Sequence, residues 1–153
     1  MEVAVFLARL EHSEFFSGQI VQIMELPARP ARYSNVPGGL RSEVQAALEA
    51  EGITRLYLHQ AQAIEQVREG RNVVIVTGTA SGKTLCYNIP VVEALIEDSK
   101  ATALFLYPTK ALAQDQLRGL GRFQRRDLGV TFLAGTYDGD TPQSLRSKLR
   151  DGG

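Results

Sequence analysis

Residues 73–84 read Val-Val-Ile-Val-Thr-Gly-Thr-Ala-Ser-Gly-Lys-Thr, and no other stretch restricts the possible folds as much. Four consecutive β-branched apolar residues, Val73 to Val76, make a strand of the buried type. It runs into a glycine-containing loop, after which Leu85, Ile89, Val92 and Ile96 recur at helical spacing. Strand, loop and helix in that order build a phosphate-binding loop. Its backbone N–H groups wrap a polyphosphate at the helix N-terminus, where unpaired donors and the helix dipole already favour negative charge. In such a loop Thr77, Gly78, Thr79, Ala80, Ser81 and Gly82 surround the phosphates. Lys83 reaches the β- and γ-phosphates, and Thr84 offers its hydroxyl to Mg²⁺. The strict pattern G-x-x-x-x-G-K-[ST] has glycine where this chain has Thr77, so the match is to a relaxed form.

The rest of the chain alternates around that loop. Leu40, Val44, Ala47 and Leu48 predict a helix closed by Gly52, and Ala63, Ile64 and Val67 a second one from about Tyr57 to Gly70. A strand from Asn72 to Val76 and a helix from Lys83 come next, then a strand from Ala103 to Leu106, a helix from Thr109 to about Leu120, and a strand from Val130 to Ala134. Alternation of this kind implies an α/β fold with a parallel sheet flanked by helices. Pro90 falls inside the helix after the loop, where it removes the N–H that would bond the Cys86 carbonyl, and a kink is expected there. Residues 1–36 read differently, as an accessory segment and linker. Phe6, Leu7 and Leu10 predict a short helix, Gln19 to Leu26 a strand, and Pro27, Pro30 and Pro37 punctuate a linker after it.

Composition excludes several classes. The 153 residues, 44% of them apolar, suffice for one domain with its own core. The formal net charge is zero, so any contact with nucleic acid or membrane must come from local patches. Cys86 is the only cysteine, which excludes an intrachain disulfide and a cysteine-rich zinc site and reads as a small core residue. No apolar run approaches about 18 residues, and Glu2 and Glu11 stand where a secretory signal would be basic and then apolar. No membrane association is expected, and a cytoplasmic protein is the default.

The neighbours of the loop decide between kinds of phosphate-loop protein. Upstream lies Leu56-Tyr57-Leu58-His59-Gln60; downstream, past the next strand, lies Pro108-Thr109-Lys110-Ala111-Leu112-Ala113-Gln114-Asp115-Gln116. With residues 77–84 these resemble, in order and spacing, the Q motif, motif I and motif Ia of superfamily 2 helicases of the DEAD/DEAH-box type. Residues 135–142, Gly-Thr-Tyr-Asp-Gly-Asp-Thr-Pro, and the earlier Gly18-Gln19-Ile20-Val21 and Pro27-Ala28-Arg29 are similar to the bacterial and fungal mitomycin-repair-type branch of DNA helicases. A small-molecule kinase would leave residues 108–116 unexplained.

The resemblance implies a RecA-like P-loop domain that uses ATP and Mg²⁺, with nucleic acid, most naturally DNA, as partner. It implies that 37–153 is the N-terminal part of the first RecA-like domain, incomplete at the C-terminus. Lys83 and Thr84 would carry the phosphate and metal chemistry, and Gln60 would read adenine through its amide. The residues alone favour instead a reading of His59 and Gln60 as polar positions on a solvated helix face, with His59 equally a satisfied packing residue. Pro108, Thr109 and Lys110 would hold backbone phosphates at a helix start, and Tyr137, Asp138 and Thr141 would belong to the next DNA-facing loop. Arg118, Arg122, Arg125 and Arg126 form a basic cluster that is either a solvated face or a further phosphate contact. Asp138 is not read as a Walker B carboxylate, because Gly135, Thr136 and Tyr137 separate it from the strand.

No Asp-Glu dipeptide occurs in the sequence, so neither Asp-Glu-x-His nor Asp-Glu-Ala-Asp is present. Phosphoryl transfer needs a second Mg²⁺ ligand, a group to orient the attacking water and, in most such enzymes, an arginine finger. The expectation is a truncation before motif II, with the second RecA-like domain supplied by the remainder of a longer helicase. The alternative is a non-catalytic nucleotide- or DNA-binding remnant of a helicase gene.

Overall fold

The structure is a computed structural model and describes residues 2–28, 30–78 and 81–151. Thr79 and Ala80 of the expected phosphate loop, and Arg29, lie outside the described residues. The chain divides into two compact units, 1–30 and 31–153.

In the first unit α1 spans Val3–Glu11, as Phe6, Leu7 and Leu10 predict, but none of its residues is buried. The expected strand from Gln19 to Leu26 does not form. The Gln19 amide instead folds back locally: its Oε1 accepts from the Ser17 N–H at 2.9 Å and its Nε2 donates to the Phe15 carbonyl at 2.9 Å. A strand also needs a ladder partner, and residues 19–28 have none.

The second unit is built on helices α2 (Ser42–Ala50), α3 (Leu58–Arg68) and α4 (Lys83–Glu97), with α3 packed along α4. Their apolar stripes meet: Val44, Ala47 and Leu48 from α2, Ala61 and Ile64 from α3, and Leu85, Ile89 and Val92 from α4 are all buried. The expected closures hold, with Gly52 and Gly70 just past the ends of α2 and α3 at φ of 75° and 74°. Helix α4 runs unbroken through Pro90. Helix α5 (Lys110–Gly121) starts on a capped threonine, since Thr109 Oγ1 accepts the Leu112 N–H at 3.2 Å. A 3₁₀ turn (Arg126–Leu128) leads to Val130, and α6 (Gln143–Asp151) was not anticipated. Leu120, Phe123 and Val130 extend the core.

The one ladder among the described residues is antiparallel and short, β1 (Tyr33–Ser34) against β2 (Leu56–Tyr57), with Tyr33 opposite Tyr57. The stretches expected as parallel strands, Asn72 to Val76, Ala103 to Leu106 and Val130 to Ala134, carry no parallel ladder; Val130 makes only an isolated antiparallel bridge to Arg125. Their exposure still alternates. Val73 and Ile75 are half-buried while Val74 and Val76 are each 89% exposed. Phe105, Phe132 and Ala134 likewise pack against the core while Leu104 and Leu106 stand open. Period-two alternation with one covered face is the burial pattern of a strand, so these stretches have a strand's two faces without its ladder.

The basic cluster is largely engaged locally. Arg118 pairs with Asp115 at 3.3 Å, Arg125 with Asp127 at 2.6 Å, and Arg122 donates to the Gly119 carbonyl at 2.7 Å. Cys86 is buried, and burial pushes its thiol above the ordinary cysteine value, as suits a core residue.

Candidate functional site

Gly82 opens α4 in the left-handed region at φ 73°, where a side chain is strained. A Cβ there would also meet the Gln60 amide nitrogen at 2.6 Å, so that amide would have to give way. The following Lys83 curls back over the loop. Its ammonium donates to the Gly78 carbonyl at 2.6 Å, the Thr77 carbonyl at 3.0 Å, and the hydroxyls of Thr77 and Ser81 at 3.2 and 3.3 Å. All four partners are neutral oxygens, and among the described residues Lys83 forms no ion pair. A cation so held at a helix N-terminus is set to receive an anion, and the donor set fits a polyphosphate. Thr77, the departure from the strict motif, contributes by its hydroxyl, which lies 2.6 Å from that of Ser81.

The Q-motif residues are built into this loop. Gln60 is only 2% exposed, which overturns the reading of it as part of a solvated face. Its Oε1 accepts the Tyr57 N–H at 2.8 Å, closing the first turn of α3, and its Nε2 donates to the Gly82 carbonyl at 2.9 Å. Among the described residues one acceptor lone pair and one N–H of the amide remain without a partner. His59 Nε2 donates to the Ser81 carbonyl at 3.0 Å, and since a carbonyl only accepts, that nitrogen carries the proton. Beside them Arg55 lies 4.0 Å over the Tyr33 ring, which stacks on Tyr57 at 5.2 Å, which stacks on His59 at 5.7 Å. Tyr33 was missed in the sequence because the β1–β2 pairing that brings it beside Tyr57 is two residues long.

The motif Ia residues meet the 135–142 loop. Lys110 forms an ion pair with Asp140, and Gln114 Nε2 donates to Thr136 Oγ1 at 3.1 Å. That pair raises the Lys110 pKa above the ordinary lysine value and lowers the Asp140 carboxyl, in both cases chiefly through the shared hydrogen bond. Pro108 and Thr109 are exposed, the latter as the cap of α5. Tyr137 is 59% exposed with the Arg146 guanidinium 5.3 Å from its ring centroid. Asp138 Oδ1 accepts the Asp140 N–H at 2.9 Å, while its carbonyl accepts from Arg146. Thr141 is 8% exposed, and its hydroxyl donates to the Thr136 carbonyl and accepts the Asp138 N–H, each at 2.9 Å. It therefore braces the loop from within. Asp140 lies within the 135–142 string but was given no role there, and Arg146 lies outside it on α6; the partners of both, Lys110 and the Asp138 and Thr141 carbonyls, are set by the fold.

Motif I and motif Ia are joined through Gln116. Its Oε1 accepts from Thr84 Oγ1 at 3.3 Å and from the Tyr87 hydroxyl at 2.8 Å. Among the described residues no helix is long and apolar enough to cross a membrane, and no group of three or more His, Cys, Asp or Glu could hold a metal.

Residues 57–152 match the family profile of the DEAD/DEAH box helicases. The chain belongs to that family. It is 42% identical over 134 residues to the "uncharacterized ATP-dependent helicase YprA" of Bacillus subtilis, covering 88% of this chain and 18% of YprA. It is 36% identical over 145 residues to the "ATP-dependent helicase HRQ1" of Saccharomyces cerevisiae, covering 94% of this chain and 13% of that protein. Among solved structures it is similar to the DUF1998 helicase MrfA bound to DNA, with a TM-score of 0.82 and 38% identity over all of this chain and 21% of MrfA. MrfA bound to DNA and AMPPNP gives a TM-score of 0.81 and 39% identity, over 98% of this chain and 20% of that one. These relatives support the mitomycin-repair-type branch of DEAD/DEAH box helicases that the motifs pointed to. The chain thus spans about a fifth or less of the length of the relatives it matches.

Proposed function

We propose that this DEAD/DEAH box chain is the nucleotide-gripping part of an ATP-dependent DNA helicase, residues 37–153 contributing the N-terminal part of a first RecA-like domain and 1–36 an accessory segment and linker. The observation that carries the reading is the Lys83 ammonium, held among the described residues by neutral loop oxygens and backed by the Q-motif bonds to Gly82 and Ser81. Lys83 would exchange those partners for β- and γ-phosphate oxygens. Gly78, Ser81 and Gly82, with Thr79 and Ala80, would line the phosphates, and the free half of the Gln60 amide would meet adenine beside the Tyr57 ring. Thr84 would lend its hydroxyl to Mg²⁺, which shields the phosphate charge when bound. The alternation of exposure in 72–76, 103–106 and 130–134 supports a parallel sheet whose second face is covered by further chain.

Thr109, Lys110 and Tyr137 would contact the DNA backbone, with Pro108, Asp138 and Thr141 shaping the surface around them. The similarity to DNA-bound MrfA supports DNA over RNA as partner. Hydrolysis and unwinding belong to the whole helicase, because the second metal ligand and the arginine finger that phosphoryl transfer requires have no counterpart motif in these residues.

Titration of the chain with a fluorescent non-hydrolysable ATP analogue in Mg²⁺ tests the assignment. Saturable binding that falls at least about tenfold in Lys83→Ala is expected from loss of the charged phosphate contacts. Equal affinity in the two proteins would refute it. Multiple-turnover phosphate release by the 153 residues would refute the division of labour between binding and hydrolysis.

A further inference from the structure

The Gln116 side chain has no task in nucleotide or DNA binding as assigned, yet it is the hydrogen-bonded link between the helix that starts at the phosphate loop and the helix that starts at Thr109. A threonine hydroxyl has one proton and two lone pairs. A cation needs a lone pair, so the proton must point elsewhere; left to rotate, it competes for the same direction. Thr84 Oγ1 gives its proton to Gln116 Oε1 at 3.3 Å. The amide could present its NH₂ instead, which would turn the threonine lone pairs inward and leave the proton facing the metal. In the structure the amide oxygen faces α4, where Tyr87, one turn further along that helix, donates to it as well at 2.8 Å. Tyr87 in turn packs against Phe105, whose ring lies 5.8 Å away.

We propose that Gln116 is a positioning residue for the Mg²⁺-binding hydroxyl of Thr84, holding its proton on α5 so that its lone pairs stay open to the cation. This rests on the assignment of Thr84 as the metal-facing hydroxyl of the phosphate loop. Because Gln116 lies on the same helix as Thr109 and Lys110, the orientation of that hydroxyl also depends on where α5 sits against α4.

The test separates the metal contribution from the rest of nucleotide binding. The affinity of the fluorescent ATP analogue is measured in Mg²⁺ and in EDTA, and the ratio of the two constants is compared between variants, with circular dichroism to verify folding. Gln116→Leu keeps the shape and removes the acceptor; it should lower the Mg²⁺-dependent gain by about tenfold, as loss of a ligand-orienting partner typically does, and leave the affinity in EDTA unchanged. Gln116→Glu restores an acceptor and should keep the full gain. Tyr87→Phe releases the amide and should lose part of it, which keeps the idea refutable should Gln116→Leu fail to fold. A full gain in Gln116→Leu, or in Tyr87→Phe where Gln116→Leu does not fold, would overturn the proposal. If the wild-type chain binds no nucleotide, the failure lies with the phosphate-loop assignment itself. Wild-type binding with an intact gain in the variants isolates the failure to Gln116.

Discussion

Replacing Arg68 by alanine should destabilise the chain by about 2–3 kcal/mol, although the position belongs to no motif. Its guanidinium makes four hydrogen bonds. Nε donates to Glu93 Oε2 at 3.0 Å and Nη2 to Glu93 Oε1 at 2.6 Å, while Nη1 and Nη2 reach the carbonyls of Pro37 and Gly39 at 3.0 and 2.8 Å. Breaking a fully buried pair on one side costs about 3–5 kcal/mol, because the partner is left charged and dry. A fully exposed pair is worth about 1 kcal/mol or less. Here the two ends differ: the Arg68 side chain is 31% exposed but that of Glu93 only 11%. Removing Arg68 strands the covered partner, which argues for a cost toward the buried limit. Solvent at the arginine end, and the Arg41 N–H that still reaches Glu93 Oε1 at 3.4 Å, argue for a discount. The carbonyls of Pro37 and Gly39 belong to exposed residues and pass to water at little cost. Glu93→Gln removes the charge and leaves the more exposed partner unpaired, so about 1 kcal/mol is expected. Urea unfolding of both single variants and the double variant, read as midpoint shifts at constant slope, gives the coupling. A coupling below about 0.5 kcal/mol would mean that α3 and α4 are held by their apolar contacts alone, and the argument from burial would be refuted.

Gly82→Ala combines the left-handed strain of about 1–2 kcal/mol with displacement of the Gln60 amide, so both stability and ATP-analogue affinity should fall; an unchanged affinity would show that the Gln60 contact is dispensable. Thr109→Ala removes the cap of α5 and should cost about 1 kcal/mol in thermal or urea unfolding, whereas Thr109→Asp should retain most of it. Asp140→Asn frees Lys110 from its carboxylate, and affinity for a single-stranded oligonucleotide should rise with a steeper salt dependence; no change would remove Lys110 from the DNA surface. The Asp140 pKa lies below its ordinary 3.8 in the folded chain, so the contribution of this pair is complete above that value and is lost as pH falls through the lower folded value; carboxyl NMR should show the titration return toward 3.8 in Lys110→Met.

Helices were legible where a periodic stripe and an end signal coincided: Val44, Ala47 and Leu48 before Gly52, Ile64 and Val67 before Gly70, Thr109 ahead of Leu112. The strands were legible only as faces. The run Val73 to Val76 reads as a buried-type strand, yet only Val73 and Ile75 turn inward while Val74 and Val76 stand open; a ladder is a property of two segments, and the β-branched run carries no information on which neighbour lies beside it. Gln19 to Leu26 failed for a related reason, since a β-rich composition without a partner yields to a side chain that satisfies the backbone locally. The site divides the same way. Lys83, Gly82 and Gln60 belong to motifs, and the curl of Lys83 over its own loop follows from the strand-loop-helix order, while the Gln60 bond to Gly82 needs α3 packed on α4.

The partners of Glu93 and Gln116 are set only in three dimensions. Glu93 sits on the buried side of an amphipathic helix, where a carboxylate would be costly without Arg68, 25 residues earlier. Gln116 gains its place because Thr84 and Tyr87, three residues apart, share one face of α4 that meets α5. Polar residues that stand on the packed side of a helix without a local partner therefore mark where a second element must arrive. In this chain the elements that arrive there are the ones that carry adenine recognition and DNA contact in the proposed function.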